Sequence, residues 1–156
     1  GDIPFKVNFL ENSRLGLMDL NENCLKMAQS KLLEFNPEIY RVNLLEEITE
    51  SIEPFDSIST TNMLHCIPGS MEEKSRVFDN FYYLLNKNGI LFGSTLLFEQ
   101  TSEKSLARRL MNHYNEKEIF NNRKDTFEGL ENQISKRFSE HKLKKFGCSA
   151  IFIARK

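Results

Sequence analysis

Two residues of this chain combine a reactive side chain with a suggestive setting: Asp19, which closes the short apolar run LGLMD, and His65, inside the turn-rich stretch TNMLHCIPG. An ionised carboxylate is acceptor-only, so an acid at a strand end can take hydrogen bonds from both hydroxyls of a ribose. Asp19 could equally cap the helix that follows, a task open to Asn21 as well. Histidine titrates near neutrality, which makes His65 the best-placed candidate for a general base; the plain alternative is a loop histidine bonded to backbone. Cys66 adjoins it, but neighbours in an extended chain point apart and no third orienting group is evident, so a cysteine–histidine hydrolase is not expected. His113 and Tyr114 fall at a predicted helix end, where a histidine commonly answers the helix dipole. His141 is expected on the surface. Arg108 and Arg109 could meet an acidic ligand or simply face solvent.

Elements that would position these groups follow from periodicity. Arg14 to Met18 reads as a strand, and Cys24, Leu25, Met27, Ala28, Leu32 and Leu33 fall at helical spacing over Glu22 to Phe35, until Pro37 ends the run. A strand is expected over Glu38 to Asn43 and another in EPFDSIST. Ser70 with Glu73 forms a capping box that predicts a helix from Met71 through VFDNFYYLL, closed by Asn88 and Gly89. Its aromatic series Phe78, Phe81, Tyr82 and Tyr83 reads as core. Gly89 to Phe98 reads as a long inner strand buried on both faces. Helices are expected over Glu103 to Tyr114 and Thr126 to Ser139, with the polar loop EIFNNRKD between them. The chain closes with two strands about Phe146-Gly147-Cys148, and so short a link forces them antiparallel. At the other end, Ile3 to Glu11 reads as a short helix with Pro4 in its first turn. Such a helix is normally fed by a strand, so the sequence is expected to begin inside a βαβ unit.

Composition bounds the alternatives. The chain has 156 residues, 40% of them hydrophobic and 28% charged, with a formal charge of −1, as expected for one globular domain with a substantial core. Near-neutral charge argues against nucleic acid as the main partner. The basic cluster HKLKK alternates like the solvated face of a strand. No apolar stretch approaches the roughly 20 residues of a membrane span, and no signal peptide opens the sequence. Cys24, Cys66 and Cys148 lack metal-ligand spacing and read as reduced thiols, so a cytoplasmic protein without bound metal is expected.

The ordered set MDLNENCL at a strand end, FDSISTTNMLHCIPG after a later strand, FDNFYYLLNKNGILFGSTLL as helix and strand, and GCSAIFIARK as the closing strand resembles the class I S-adenosylmethionine-dependent methyltransferases, small-molecule type. The resemblance covers essentially the whole chain, 1–156, as a single domain. It implies an α/β fold: a Rossmann-like, doubly wound, mostly parallel sheet with an antiparallel final strand. It also implies S-adenosylmethionine as cofactor and a small-molecule methyl acceptor. Carried over by position, Asp19 would hold the ribose hydroxyls, with Leu20 and Asn21 near the adenosine. Asn43 stands where the family often has an aspartate reading the adenine amino group, and an amide carbonyl can accept the same bond. Leu44 would pack on the adenine ring. Asn62, Met63 and Leu64 would lie beside the methionine moiety and the transferable methyl; if the acceptor is a hydroxyl, His65 on the same loop is the candidate catalytic base. Gly1 corresponds to the tail of the glycine-rich cofactor loop, whose strand should precede it, so the domain is expected to be N-terminally truncated. Its bared strand edges would favour a homodimer.

Two other readings remain open. A nicotinamide-dependent dehydrogenase would use the same strand-end acid, though the antiparallel final strand and the lack of a Tyr-x-x-x-Lys pair count against it. A noncatalytic methyltransferase-like partner protein would account for the missing glycine loop.

Overall fold

The computed structural model describes residues 13–99, 102 and 105–156. Gly1 and the helix expected over Ile3 to Glu11 lie outside them. The chain divides into two compact units, Gly1–Asn43 and Leu44–Lys156.

In the first unit, β1 (Gly16–Asp19) and β2 (Glu38–Arg41) pair in parallel, Gly16 opposite Glu38 and Asp19 opposite Arg41. Between them runs α1 (Glu22–Lys31), which buries Leu25. Asn21 caps it by accepting the Asn23 N–H at 2.9 Å. The helix is shorter than expected, giving way to a 3-10 turn over Leu33–Phe35. Asn36 then turns left-handed at φ 45°, and Pro37 disfavours helical geometry in the residue before it. Arg14 holds both carboxylate oxygens of Glu38 at 2.9 and 2.8 Å, fastening the start of the unit to β2.

The second unit is a four-stranded sheet in the order β3-β4-β6-β5, made of β3 (Phe55–Thr61), β4 (Leu85–Leu96), β5 (Glu140–Phe146) and β6 (Ser149–Arg155). β3 and β4 are parallel, while β6 runs antiparallel to both β4 and β5. The tight closing link is as expected, with Gly147 at φ 56°, a conformation glycine adopts without strain. Three helices accompany the sheet: α2 (Ser75–Tyr83), α3 (Leu106–Glu116) and α4 (Phe127–Ser135). Ser105 and Thr126 cap the last two.

Two expectations shift here. The capping box forms, Ser70 N–H to Glu73 Oε2 at 2.7 Å and Glu73 N–H to Ser70 Oγ at 3.3 Å. Regular helix nevertheless begins only at Ser75, because Ser75 and Val77 bond three residues back, to Glu72 and Lys74. At its far end α2 stops at Tyr83: the Phe55 N–H takes the Leu84 carbonyl at 2.8 Å, and sheet pairing claims Leu85. β4 accordingly starts at Leu85 rather than Gly89, with an irregularity in its pairing between Phe55 and Ser57.

Nor is β4 buried on both faces. Leu91, Gly93 and Thr95 face the core while Phe92 is 42% exposed. The covered face meets Val77, Phe78 and Phe81 of α2 and Leu130 and Ile134 of α4, all buried in one cluster with Leu91 and Phe152. Tyr82 and Tyr83, expected in the core, are largely exposed. Gly93 is fixed by close approach, since a Cβ there would collide with the Thr60 carbonyl on β3.

Candidate functional site

In α/β sheets ligands collect at the carboxyl ends of parallel strands. At that end of β1, exposed Asp19 accepts the Asn21 N–H on Oδ1 at 2.8 Å. Its Oδ2 takes no hydrogen bond among the described residues. The carboxylate thus orders the start of α1 with one oxygen. Leu20 is exposed, and its carbonyl takes Arg41 Nε at 3.3 Å. Asn43 is half-buried just beyond β2.

The second unit begins at Leu44, which packs against the core while its carbonyl accepts Asn80 Nδ2 at 2.9 Å. Buried Asn80 also donates to the Glu46 carbonyl at 2.8 Å. Beyond β3 the chain turns on Asn62, left-handed at φ 57°. The Asn62 N–H bonds the Ser94 carbonyl at 2.8 Å. Met63 packs against the core and Leu64 is fully buried.

His65 is 3% exposed. Its Nδ1 receives the Leu96 N–H at 3.3 Å and lies 3.4 Å from Thr95 Oγ1. The ring meets Phe120 edge-on at 4.5 Å between centroids. Burial, with the charge of Lys74 as a lesser cause, pushes its pKa down to about 4. A neutral ring whose Nδ1 takes a backbone N–H carries its proton on Nε2. That geometry runs against the general base expected here, because the nitrogen with a lone pair is already engaged. Burial pushes the Cys66 thiol upward, the opposite of what a nucleophile needs. His113 is exposed in the last turn of α3, and the Tyr114 ring lies tilted against Phe120 at 4.9 Å between centroids. His141 is half-buried rather than on the surface, with Nδ1 3.0 Å from the Phe138 carbonyl. Arg108 lies 3.8 Å over the Phe98 ring.

A polar cluster that the sequence did not disclose sits beside His65. Lys74, before α2, and Asp125, before α4, are both 0% exposed, with Nζ 2.8 and 2.7 Å from the two carboxylate oxygens. Burial lowers the lysine and raises the aspartate, to about 6. Lys74 stands in EEK and Asp125 in RKD, contexts that read as solvated surface, and nothing in a single sequence links two charges so far apart. Among the described residues no cluster of histidine, cysteine and acid side chains could hold a metal ion, and no helix is long and apolar enough to cross a membrane.

No family model matches the chain. Solved structures share its fold: an O-methyltransferase family protein from Burkholderia thailandensis superposes with a TM-score of 0.66 at 13% identity, over 90% of this chain and 43% of that one. The parallel β1–β2 and β3–β4 pairs and the antiparallel β6 are thus those of the Rossmann-like methyltransferase fold. Among curated proteins, the chain is 36% identical over 147 residues to YbcY of Escherichia coli K12, covering 92% of this chain and 75% of that protein. It is 31% identical over 154 residues to an O-methyltransferase of Aspergillus niger, covering 92% and 78%. Demethylluteothin O-methyltransferase of Streptomyces thioluteus is 29% identical over 141 residues, with 90% of this chain matched to 61% of that enzyme. The chain belongs to the class I S-adenosylmethionine-dependent methyltransferases, enzymes whose cofactor is S-adenosylmethionine. It spans between 61% and 78% of the length of these three relatives.

Proposed function

We propose that the protein transfers the methyl group of S-adenosylmethionine to a hydroxyl of a small-molecule acceptor. The observation that carries this reading is the relation to the Aspergillus niger O-methyltransferase, 31% identity across 92% of the chain. When bound, the cofactor supplies an electrophilic methyl on a sulfonium. The residues present suit it: Asp19 offers an exposed carboxylate oxygen at a strand tip, as a ribose hydroxyl requires. Within the reading Asp19 holds the ribose, Leu20 and Asn21 flank the adenosine, and Asn43 and Leu44 take the adenine. Asn62 and Met63 adjoin the methionine end, and Gly1 belongs to the cofactor loop.

Methyl transfer is an in-line displacement, so most of the acceleration comes from holding the acceptor oxygen against the methyl with water excluded. The reading gives His65 a hydrogen-bond donor's part at Nε2, since Nδ1 is occupied by the Leu96 N–H. It takes residues 1–156 as one domain, cytoplasmic, with a small molecule rather than nucleic acid as partner; the formal charge of −1 supports the last point. Association of two copies belongs to the same reading, and sedimentation at high concentration tests it. Incubation with methyl-labelled S-adenosylmethionine and a panel of phenolic, enolic and carboxylic small molecules tests the function. Label in an O-methyl product is the expected result, and label only on amines or carbons would overturn the hydroxyl assignment.

A further inference from the structure

Three segments meet at the carboxyl ends of β3 and β4: the loop after β3, the last residues of β4, and the stretch 121–125 between α3 and α4. Four hydrogen bonds close them into a triangle. The Leu96 N–H donates to His65 Nδ1 at 3.3 Å, and Asn122 Nδ2 donates to the Leu96 carbonyl at 3.0 Å. The Asn121 N–H donates to the His65 carbonyl at 2.7 Å, and Asn121 Nδ2 donates to the Cys66 carbonyl at 3.1 Å. Leu96 is therefore held at both its backbone groups, and the loop at two successive carbonyls. Asn122, fully buried, is steadied in turn by Asn115 Nδ2, which donates to its Oδ1 at 2.8 Å.

The third side of this triangle is anchored by the buried pair. Lys74 Nζ reaches both oxygens of Asp125 and, at 3.5 Å, the carbonyl of Asn121, so its three N–H groups face three acceptors within one short stretch of chain. An ion pair sealed from water is a poor source of stability, because desolvating two charges offsets most of their attraction and apolar replacements of similar volume are often as stable or more so. What the pair does supply is geometry. It fixes where Asn121 and Asn122 stand, and through them the backbone of His65, Cys66 and Leu96.

We propose that Lys74 and Asp125 are positioning residues: through Asn121 and Asn122 they hold the loop after β3, with Asn62 and Met63 at its start, in the form that receives the cofactor. The ligand half of this statement rests on the function proposed above; the loop half stands on the hydrogen bonds alone.

The test uses the full chain with Lys74→Met and Asp125→Leu combined, which removes both charges at similar bulk, alongside Lys74→Met alone. Three quantities are read: the unfolding midpoint, amide hydrogen exchange at Leu96 and Asn121, and affinity for S-adenosylhomocysteine. The expected result is a midpoint at or above that of the unaltered chain, exchange at both amides about tenfold faster, and affinity weakened about tenfold. A purely structural pair would leave exchange and affinity unchanged once the midpoint is kept, and that outcome overturns the proposal. Should the double variant fail to fold, Lys74→Met alone decides by the same exchange criterion, since it deletes the bonds to Asp125 and to the Asn121 carbonyl while the Asp125 carboxyl, already raised by burial, can take up a proton. Should the unaltered chain fail to bind S-adenosylhomocysteine, the functional reading falls by itself, and unchanged exchange in the variants would still refute the positioning role.

Discussion

Acidification should destabilise the protein through His65, and the size of the effect follows from the ring's setting. The ring is 3% exposed and its pKa is lowered from 6.5 to about 4, with burial as the larger cause and the Lys74 charge as the smaller. A histidine held neutral in the folded state binds its proton more readily when the chain unfolds. Between pH 6.5 and 4 the unfolded state therefore carries more protons, and stability falls as pH drops through that window. Taking the pKa values as they stand, about 2.5 kcal/mol should be lost between pH 7.5 and 4.5 from this residue. The perturbation is His65→Asn, which cannot titrate and whose side-chain carbonyl can still accept the Leu96 N–H. Urea unfolding of both proteins at pH 7.5 and 4.5 gives four free energies. Carboxylates that titrate in the same range, Asp125 among them, are common to both proteins and cancel in the comparison. The stability advantage of the unaltered chain over the variant should shrink by about 2 to 3 kcal/mol on acidification. An advantage that stays constant within about 0.5 kcal/mol would show that the ring titrates normally, contradicting its burial as a neutral group.

Three further outcomes follow from particular contacts. Gly93→Ala drives a methyl into the Thr60 carbonyl and should destabilise the fold by at least about 2 kcal/mol, measured by urea denaturation. Asn80→Ala deletes the side-chain bonds to the Leu44 and Glu46 carbonyls and should cost about 1 to 3 kcal/mol in the same assay. Arg137 ties α4 to α2 by donating to Asp79 Oδ1 at 2.7 Å and the Ser75 carbonyl at 3.1 Å, so Arg137→Ala should lower the unfolding free energy by about 2 kcal/mol.

Periodicity made most of the fold legible. The strand–helix alternation, the cap at Asn21, the Ser70–Glu73 box and the antiparallel ending at Gly147 are each written in local residue types, and each forms. Errors gathered where tertiary pairing overrides local preference. Leu84 and Leu85 carry a helical signal but are taken by β3, and the stretch from Leu91 to Leu96 shows no clean alternation of apolar and polar residues although its faces differ in exposure. At the candidate site the same divide holds. Asp19 announces itself because a lone acid closes an apolar run. Lys74 and Asp125 do not, since each sits among exposed charges and their partnership exists only in three dimensions. His65 was visible as a residue, but its partner was not, because the backbone donor that faces its Nδ1, that of Leu96, is thirty-one residues away in sequence.

The central claim is that the Asp19 carboxylate helps to hold the cofactor, and calorimetric titration of S-adenosylhomocysteine into the chain and its Asp19→Ala variant tests it most directly. The account predicts saturable binding tighter than about 100 μM to the unaltered chain, weakened at least about tenfold by the substitution. Equal affinity in the two proteins, or no binding to either, would contradict it.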